Sequence, residues 1–314
     1  MKQTPAPDPF AARSFAPMLF RESEPFDSGD YIFELKLDGI RSLAYLDIDK
    51  TVLINKRGKD VTANYPELSS LHAGCRGKAV IDGEIVVFKG GKPDFFRLQR
   101  RSLLSDRLKI MLAAAAHPAT FAAFDILYWQ GETLTEKPLL ERKRLLESAI
   151  TENNRLVLSR YIEEKGVAFF GLAKRENLEG IVAKEKNSRY YPGARRDVWL
   201  KIKVYREEDL VICGYAPKEN GSIKDLILAD YVNGELRIRT KINTTKDQKI
   251  IREFAAAFPA PPVDSVYGED IVWMRPYLVG TVRYMMKTKS GGLRQPVFKG
   301  INTDKVASDL LAAK

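Results

Sequence analysis

Tyr31-Ile32-Phe33-Glu34-Leu35-Lys36-Leu37-Asp38-Gly39-Ile40-Arg41 is the stretch that decides how this chain is read. Its first five residues have the pattern of a strand, and a lysine, an aspartate and a glycine then stand where that strand must end. Downstream, Ala44-Tyr45-Leu46-Asp47-Ile48 reads as its partner strand. Val80-Ile81 and Ile85-Val86-Val87-Phe88 are dense in β-branched residues, and Gly90-Gly91 behind them is a tight-turn signal. Leu139-Leu140, Leu145-Leu146 and Ile150 recur at helical spacing, with Pro138 suited to a first helical turn. Strands and helices mix without βαβ regularity, which predicts an α+β domain rather than a Rossmann fold.

The pattern changes after Lys203. Tyr205-Arg206-Glu207-Glu208 is charged and free of core residues, which predicts a hinge. Strand signals follow at Leu210-Val211-Ile212-Cys213 and Leu226-Ile227-Leu228, then a turn at Asn233-Gly234. In the next strand Leu236, Ile238 and Ile242 are expected on one face, with Arg237, Arg239 and Lys241 on the other. Thr245-Lys246-Asp247-Gln248 has the look of a capping box before a helix with Ile250, Ile251 and Phe254 as its apolar stripe. Strands with one helix in such a length fit a small barrel, and an OB-fold is the natural reading. The expected organisation is an N-terminal arm over residues 1–16, one domain over 17–205 and a second over 206–314.

Across 314 residues, 51 Lys and Arg stand against 41 Asp and Glu, a formal charge of +10 that suits a polyanionic partner such as nucleic acid. Cys75 and Cys213 lie too far apart in sequence to suggest a disulfide framework or a zinc pattern, and two histidines leave little for metal or triad chemistry. The start lacks the apolar core of a signal peptide, and the apolar run Met111–Ala116 ends at His117-Pro118, well short of a span. A cytoplasmic protein without a membrane partner is expected. No G-x-x-x-x-G-K-[ST] occurs, which sets aside a P-loop ATPase.

Seven segments stand in a fixed order: Lys36-Leu37-Asp38-Gly39, Lys56-Arg57-Gly58, Asp82-Gly83-Glu84-Ile85-Val86, Phe121-Ala122-Ala123-Phe124-Asp125-Ile126-Leu127, Glu179-Gly180-Ile181-Val182-Ala183-Lys184, Trp199-Leu200-Lys201-Ile202-Lys203 and Leu293-Arg294-Gln295-Pro296-Val297-Phe298. The series resembles the covalent nucleotidyltransferases. Within them it is most similar to ATP-dependent DNA ligases, especially the ligase domain of bacterial end-joining ligases, from Pro17-Met18-Leu19 onward. The resemblance implies an α+β adenylation (nucleotidyltransferase) domain followed by an all-β OB-fold domain, in a stand-alone, monomeric enzyme without polymerase or nuclease. It implies nicked double-stranded DNA as partner, with end-joining or repair proteins beside it.

The resemblance implies that Lys36 attacks ATP and carries AMP as a phosphoramidate. A free lysine has a pKa of about 10.4, and lowering it to near 7 disfavours the ammonium by roughly 4 kcal/mol. Lys201 and Lys203, on one face of a strand by the period of two, are the neighbouring cations expected to contribute and to hold the α-phosphate. Glu84 and Glu179 fit Mg²⁺, with Mn²⁺ as an alternative, held through few protein ligands, phosphate oxygens and water. Glu84 equally suits a ribose hydroxyl. By motif position Phe124 stacks on the purine with Val182 opposite, while Phe121 takes a core role. Glu34 accepts from the adenine amino group, Arg41 and Arg57 touch phosphate or ribose, and Lys184 neighbours a phosphate.

Arg294, with Lys299 as the other possibility, is expected to orient pyrophosphate. Thr281 stands where the family leads one to expect glutamate, and Tyr215–Ala229 lacks the usual glycines. Arg97, Arg100, Arg101, Arg107, Lys109 and the run Arg189–Arg196 are candidate tracks for a nucleic-acid backbone. The rival readings are an RNA ligase or capping-type guanylyltransferase of the same superfamily, and an inactive nucleic-acid-binding module.

Overall fold

A computed structural model describes residues 8–263, 270–288 and 291–312. The first seven residues of the expected arm lie outside these; the next few pack against the first unit, where Phe10 is buried against Tyr45 and Tyr128. The chain divides into two compact units, Met1–Val204 and Tyr205–Lys314.

The first unit holds two main sheets. One has five strands in the order Leu19–Glu22, Arg195–Lys203, Gly180–Glu185, Ser28–Leu35, Tyr161–Glu164. The other runs Thr51–Asn55, Ile40–Leu46, Ala79–Lys89, Ala119–Trp129, Glu132–Thr133, with Lys92–Pro93 and Leu156–Leu158 added at its sides. The strand ending at Leu35 and the strand starting at Ile40 therefore belong to different sheets, and Lys36–Gly39 is the crossing between them. The expected pairing of the first with Ala44–Ile48 is corrected: Ser28–Leu35 pairs with Tyr161–Glu164 and Gly180–Glu185, while Ile40–Leu46 pairs with Thr51–Asn55 and Ala79–Lys89. A four-residue link too long for a tight hairpin lets the second strand leave the plane of the first.

Burial follows the alternation of each strand. Ile32 and Trp199 from the five-stranded sheet meet Leu43, Tyr45, Val80 and Leu127 from the larger one in a shared core. Ile81, Ile85, Val87 and Phe121 point the other way, into a core closed by Leu68, Leu71, Leu98 and Leu146. The outer face of the five-stranded sheet is covered by the helix Gly166–Arg175 through Phe169, Phe170 and Ala173. Opposite Asp82 and Gly83 the larger sheet slips register, pairing them with Asp125 and Ala123, so Phe124 is the extra residue of a bulge. Such a bulge re-aims a side chain without ending the strand.

The second unit is a six-stranded antiparallel sheet in the order Glu235–Asn243, Ile223–Val232, Arg206–Pro217, Val279–Tyr284, Val297–Ile301, with Val272–Trp273 also on Arg206–Pro217. Its main helix is Gln248–Ala257. Three expectations are corrected here. Arg206–Glu208 are strand and not an irregular linker: they pair with Tyr284–Val282, Glu208 is ion-paired with Lys287 and Arg239, and the division between the units falls just before them, at Val204/Tyr205. The face shared by Leu236, Ile238 and Ile242 is broken by a register shift at Arg239. Leu236 and Ile238 pack into one core and Ile242 into another. The capping box does not form, because Asp247 adopts a left-handed φ of 54° and gives its carboxylate to the Ile301 N–H, while Gln248 donates back to the Thr244 carbonyl. Thr281 uses its hydroxyl to donate to Asp209 at 2.6 Å.

Candidate active site

The crossing Lys36–Gly39 can run so close to the larger sheet because its last residue has no side chain. A Cβ on Gly39 would stand 2.4 Å from the Ile85 carbonyl oxygen. Gly180 is constrained twice, by a φ of 143° and by the Ile202 carbonyl 2.1 Å from where its Cβ would be. Its own carbonyl accepts from the Lys36 N–H at 3.0 Å, which ties the lysine's backbone to the neighbouring strand.

Around Lys36 the structure forms a partly open pocket, lined among others by Phe20, Glu34, Arg41, Glu84, Phe124, Val182 and Lys184. Seven of the residues singled out in the sequence thus line one cavity: Glu34, Lys36, Arg41, Glu84, Phe124, Val182 and Lys184. The Lys36 ammonium pairs with Glu179 Oε1 at 2.8 Å. Lys201 pairs with Glu22 at 3.3 Å. Burial and then Lys201 push the Lys203 ammonium below its ordinary pKa, against the pull of Glu179 and Glu22, and Lys36 acts in the same sense as Lys201. Lys36, Lys201, Lys203 and Glu179 therefore form a single electrostatic group.

Glu84 is half-buried in the pocket wall. Burial pushes its carboxyl up to about 8, although Arg41 and Lys36 pull the other way, and Glu179 and Asp82 add to the rise. Arg41 is less available than its motif suggests. Its Nε and Nη2 donate to the two Asp82 oxygens at 2.6 Å each, and its guanidinium lies 4.6 Å from the Phe124 ring centroid and 5.1 Å from that of Phe20. Tyr190 donates to the same Asp82 at 2.5 Å and accepts the Met18 N–H at 2.8 Å. Burial opposes the Arg41 charge, and Asp82 more than offsets it.

Lys184 sits on Glu34 Oε2 at 3.0 Å, with its ammonium 4.2 Å from the centroids of both Phe124 and Trp199. Burial pushes it down to about 8 against the attraction of Glu34. Arg57 does not enter the pocket; it lines a broad open cleft with Lys56, Lys59, Asn64, Phe95 and Gln99, which meets the pocket at Arg41. Arg294 belongs to the second unit, on the short strand Leu293–Arg294 paired with Met286–Lys287. Among the basic tracks, Arg101 is withdrawn: it is buried and ion-paired with Glu67, also donating to the His117 carbonyl.

Sequence reasoning missed Asp82, Phe20, Ser159 and Lys143. Asp82 begins the quoted Asp-Gly-Glu string, so its signal was present and unread. Lys143 sits inside an ordinary charged helix and announces nothing.

A model of the ATP-dependent DNA ligase domain matches residues 11–203, and one of the ATP-dependent DNA ligase C-terminal region matches residues 219–305. The chain belongs to the ATP-dependent DNA ligase family. It is an ATP-dependent DNA ligase, with a nucleotidyltransferase domain and a C-terminal OB-fold domain. This ligase is 32% identical over 295 residues to the SPbeta prophage-derived DNA ligase-like protein LigB of Bacillus subtilis, covering 90% of this chain and 97% of that one. It is 28% identical over 316 residues to the multifunctional non-homologous end joining protein LigD of Mycolicibacterium smegmatis, covering 95% of this chain but 39% of that protein. The solved structure of mycobacterial DNA ligase D with ATP and MES superposes with a TM-score of 0.56 at 28% identity, covering 95% and 98% of the two chains. A Lig E DNA ligase shares the fold at a TM-score of 0.64 and 19% identity. Among the described residues no helix of the ligase is long and apolar enough to cross a membrane, and no three or more His, Cys, Asp or Glu side chains gather as a metal cluster.

Proposed function

We propose that this ligase seals nicks bearing a 3′-hydroxyl and a 5′-phosphate in duplex DNA, through AMP carried covalently on Lys36. The observation that carries the reading is the position of the Lys36 ammonium. It lies at the wall of a pocket, on a carboxylate at 2.8 Å and beside two further lysines.

The purine of ATP enters between Phe124 and Val182, both of which line the pocket. Lys36 must lose a proton before it attacks, and Glu179 is the acceptor within reach. The Lys36 Nζ then forms a bond to the α-phosphorus as the bond to pyrophosphate breaks. Lys201 and Lys203 hold the phosphate oxygens on which negative charge grows. AMP passes next to the nick 5′-phosphate, releasing the lysine, and the 3′-hydroxyl displaces AMP to form the phosphodiester. The separate strands that Lys36 follows, Glu179 precedes and Lys203 ends fix these groups before substrate arrives, which lowers the cost of orientation.

Glu179 is close enough to Glu84 to raise the proton affinity of its carboxyl. Two hard oxygen donors facing a phosphate site fit Mg²⁺, which keeps phosphate and water ligands and demands few from protein; bound there, it would neutralise the triphosphate. Mn²⁺ fits the same donors. The likeness to LigD proteins supports break repair by end joining as the setting, with nicked duplex as the partner.

The test is intact mass after incubation with ATP and Mg²⁺, beside a Lys36→Ala control and a GTP arm. A gain of one AMP, with ATP only and absent in the variant, is expected. A gain only with GTP would move the chain toward guanylyl transfer. No gain in either arm, with protein free of prior adenylate, would leave a nucleic-acid-binding module.

A further inference from the structure

Behind the base end of the pocket, one carboxylate is held by two lysines. Glu34 closes the strand Ser28–Leu35, lines the pocket and is paired in register with Val182, so its side chain lies beside the Phe124–Val182 slot. Its Oε2 accepts from the Lys184 ammonium at 3.0 Å and from the Ser159 hydroxyl at 3.1 Å. Its Oε1 is in ion-pair contact with Lys143, from the helix Leu139–Ala149. Beyond that contact neither Oε1 nor the Lys143 Nζ has a hydrogen-bond partner. Glu34, Lys143 and Lys184 are all buried, and Lys143 is not part of the pocket lining.

We infer that Lys143 is a positioning residue for base selection: with Lys184 and Ser159 it fixes Glu34 as a hydrogen-bond acceptor for the 6-amino group of the purine. This rests on the reading of the pocket as the nucleotide site. A buried carboxylate without a cation takes up a proton and becomes a donor on that oxygen. A donor there would suit a 6-oxo purine and disfavour a 6-amino one, so the identity of the base depends on the charge state of Glu34. Two donors occupy Oε2 and the Lys143 ammonium faces Oε1, so the carboxylate is held charged from both of its oxygens. Burial alone would push the Glu34 carboxyl up, but Lys143 and then Lys184 hold it below the ordinary glutamate value. The other charged or titratable groups around this cluster are Tyr161, whose ring lies 5.6 Å from the Lys143 ammonium, and Asp125, which acts on Lys184 and is itself paired to Arg142. Specificity built from a buried polar group is steep, because the wrong partner leaves that group unmatched.

The experiment compares transfer of AMP and of IMP to Lys36, from ATP and ITP, which differ only at the C6 side of the ring. Single-turnover rates over concentration are measured between pH 6 and 7.5 for the wild type, Lys143→Met, Lys143→Arg and Ser159→Ala. The wild type should prefer ATP with a ratio that stays flat over this range. In Lys143→Met the ratio should fall by about tenfold or more, and should recover as pH rises and Glu34 loses its proton. Lys143→Arg should restore the wild-type ratio, and Ser159→Ala should lower it severalfold. If Lys143→Met does not fold, the Ser159→Ala and Lys143→Arg ratios decide. A wild type indifferent to ITP, a folded Lys143→Met with the wild-type ratio at every pH, or, lacking that variant, an unchanged Ser159→Ala ratio would overturn the inference. Absence of any nucleotide transfer to wild-type Lys36 would instead overturn the ligase chemistry itself.

Discussion

The Lys36 ammonium rests 2.8 Å from Glu179 Oε1, across two neighbouring antiparallel strands. Lys36 follows the end of Ser28–Leu35 and Glu179 precedes Gly180–Glu185, with Leu35 paired to Ile181. Lys36 and its carboxylate are therefore placed by the backbone ladder and not by a flexible loop. Replacing Glu179 with Gln keeps the shape and removes the proposed proton acceptor. Lysine adenylation should slow on the order of 10²-fold, the range of a positioned acid–base group. Melting temperature should stay within a few degrees. Radiolabelled AMP transfer in single turnover measures the first and calorimetry the second, and an unchanged rate would remove Glu179 from the chemistry.

Glu84 gives the apo protein a pH signature. Its carboxyl is pushed up to about 8 in the folded chain, against 4.5 as the ordinary value, so between these the folded state holds a proton that the unfolded chain has released. Stability therefore falls as pH rises through that window. Glu84→Gln cannot ionise and should escape the loss. Its melting temperature should match the wild type near pH 4.5 and exceed it by a few degrees at pH 8. The comparison is made by calorimetry without nucleotide or divalent cations. Parallel curves would show that Glu84 is solvated.

Asp82 accepts two hydrogen bonds from the largely buried Arg41 guanidinium, and it also holds the Tyr190 hydroxyl. Asp82→Asn leaves the guanidinium uncompensated, and breaking a buried pair from one side costs about 3–5 kcal/mol. Urea denaturation should show a midpoint lowered accordingly. Adenylation at a temperature where the variant is still folded should also be weaker, because Arg41 packs on the Phe124 ring. A small change in midpoint would mean that water reaches the pair.

Gly39→Ala tests whether the crossing between sheets is as tight as it looks. The new methyl would press on the Ile85 carbonyl and on Glu84, both backbone and pocket wall. Overpacking of this kind costs about 1–3 kcal/mol, and the displaced Lys36 should lose most of its reactivity toward ATP. Gly29→Ala, where nothing stands within 4 Å, is the control expected to leave both unchanged.

The chain's own order of residues determined that a lysine follows a strand, that glycines sit where backbones approach, and that two units of different character succeed one another. These are local matters of period, β-branching and turn chemistry, and they are legible without a partner in view. Phe121 and Phe124 could be given different roles from motif position alone, and their side chains pack in different cores. What surrounds Glu34 was decided only by the tertiary structure. Lys143 and Lys184 arrive from a helix and a strand more than a hundred residues along the chain, and no pattern near either one records the meeting. The same holds for the strand Ile40–Leu46, which left its sequence neighbour for another sheet, and for Glu208, whose charge read as part of a linker until Arg239 and Lys287 paired with it. A charged side chain looks alike in sequence whether water or a buried counter-charge satisfies it, and only the packed fold determines which.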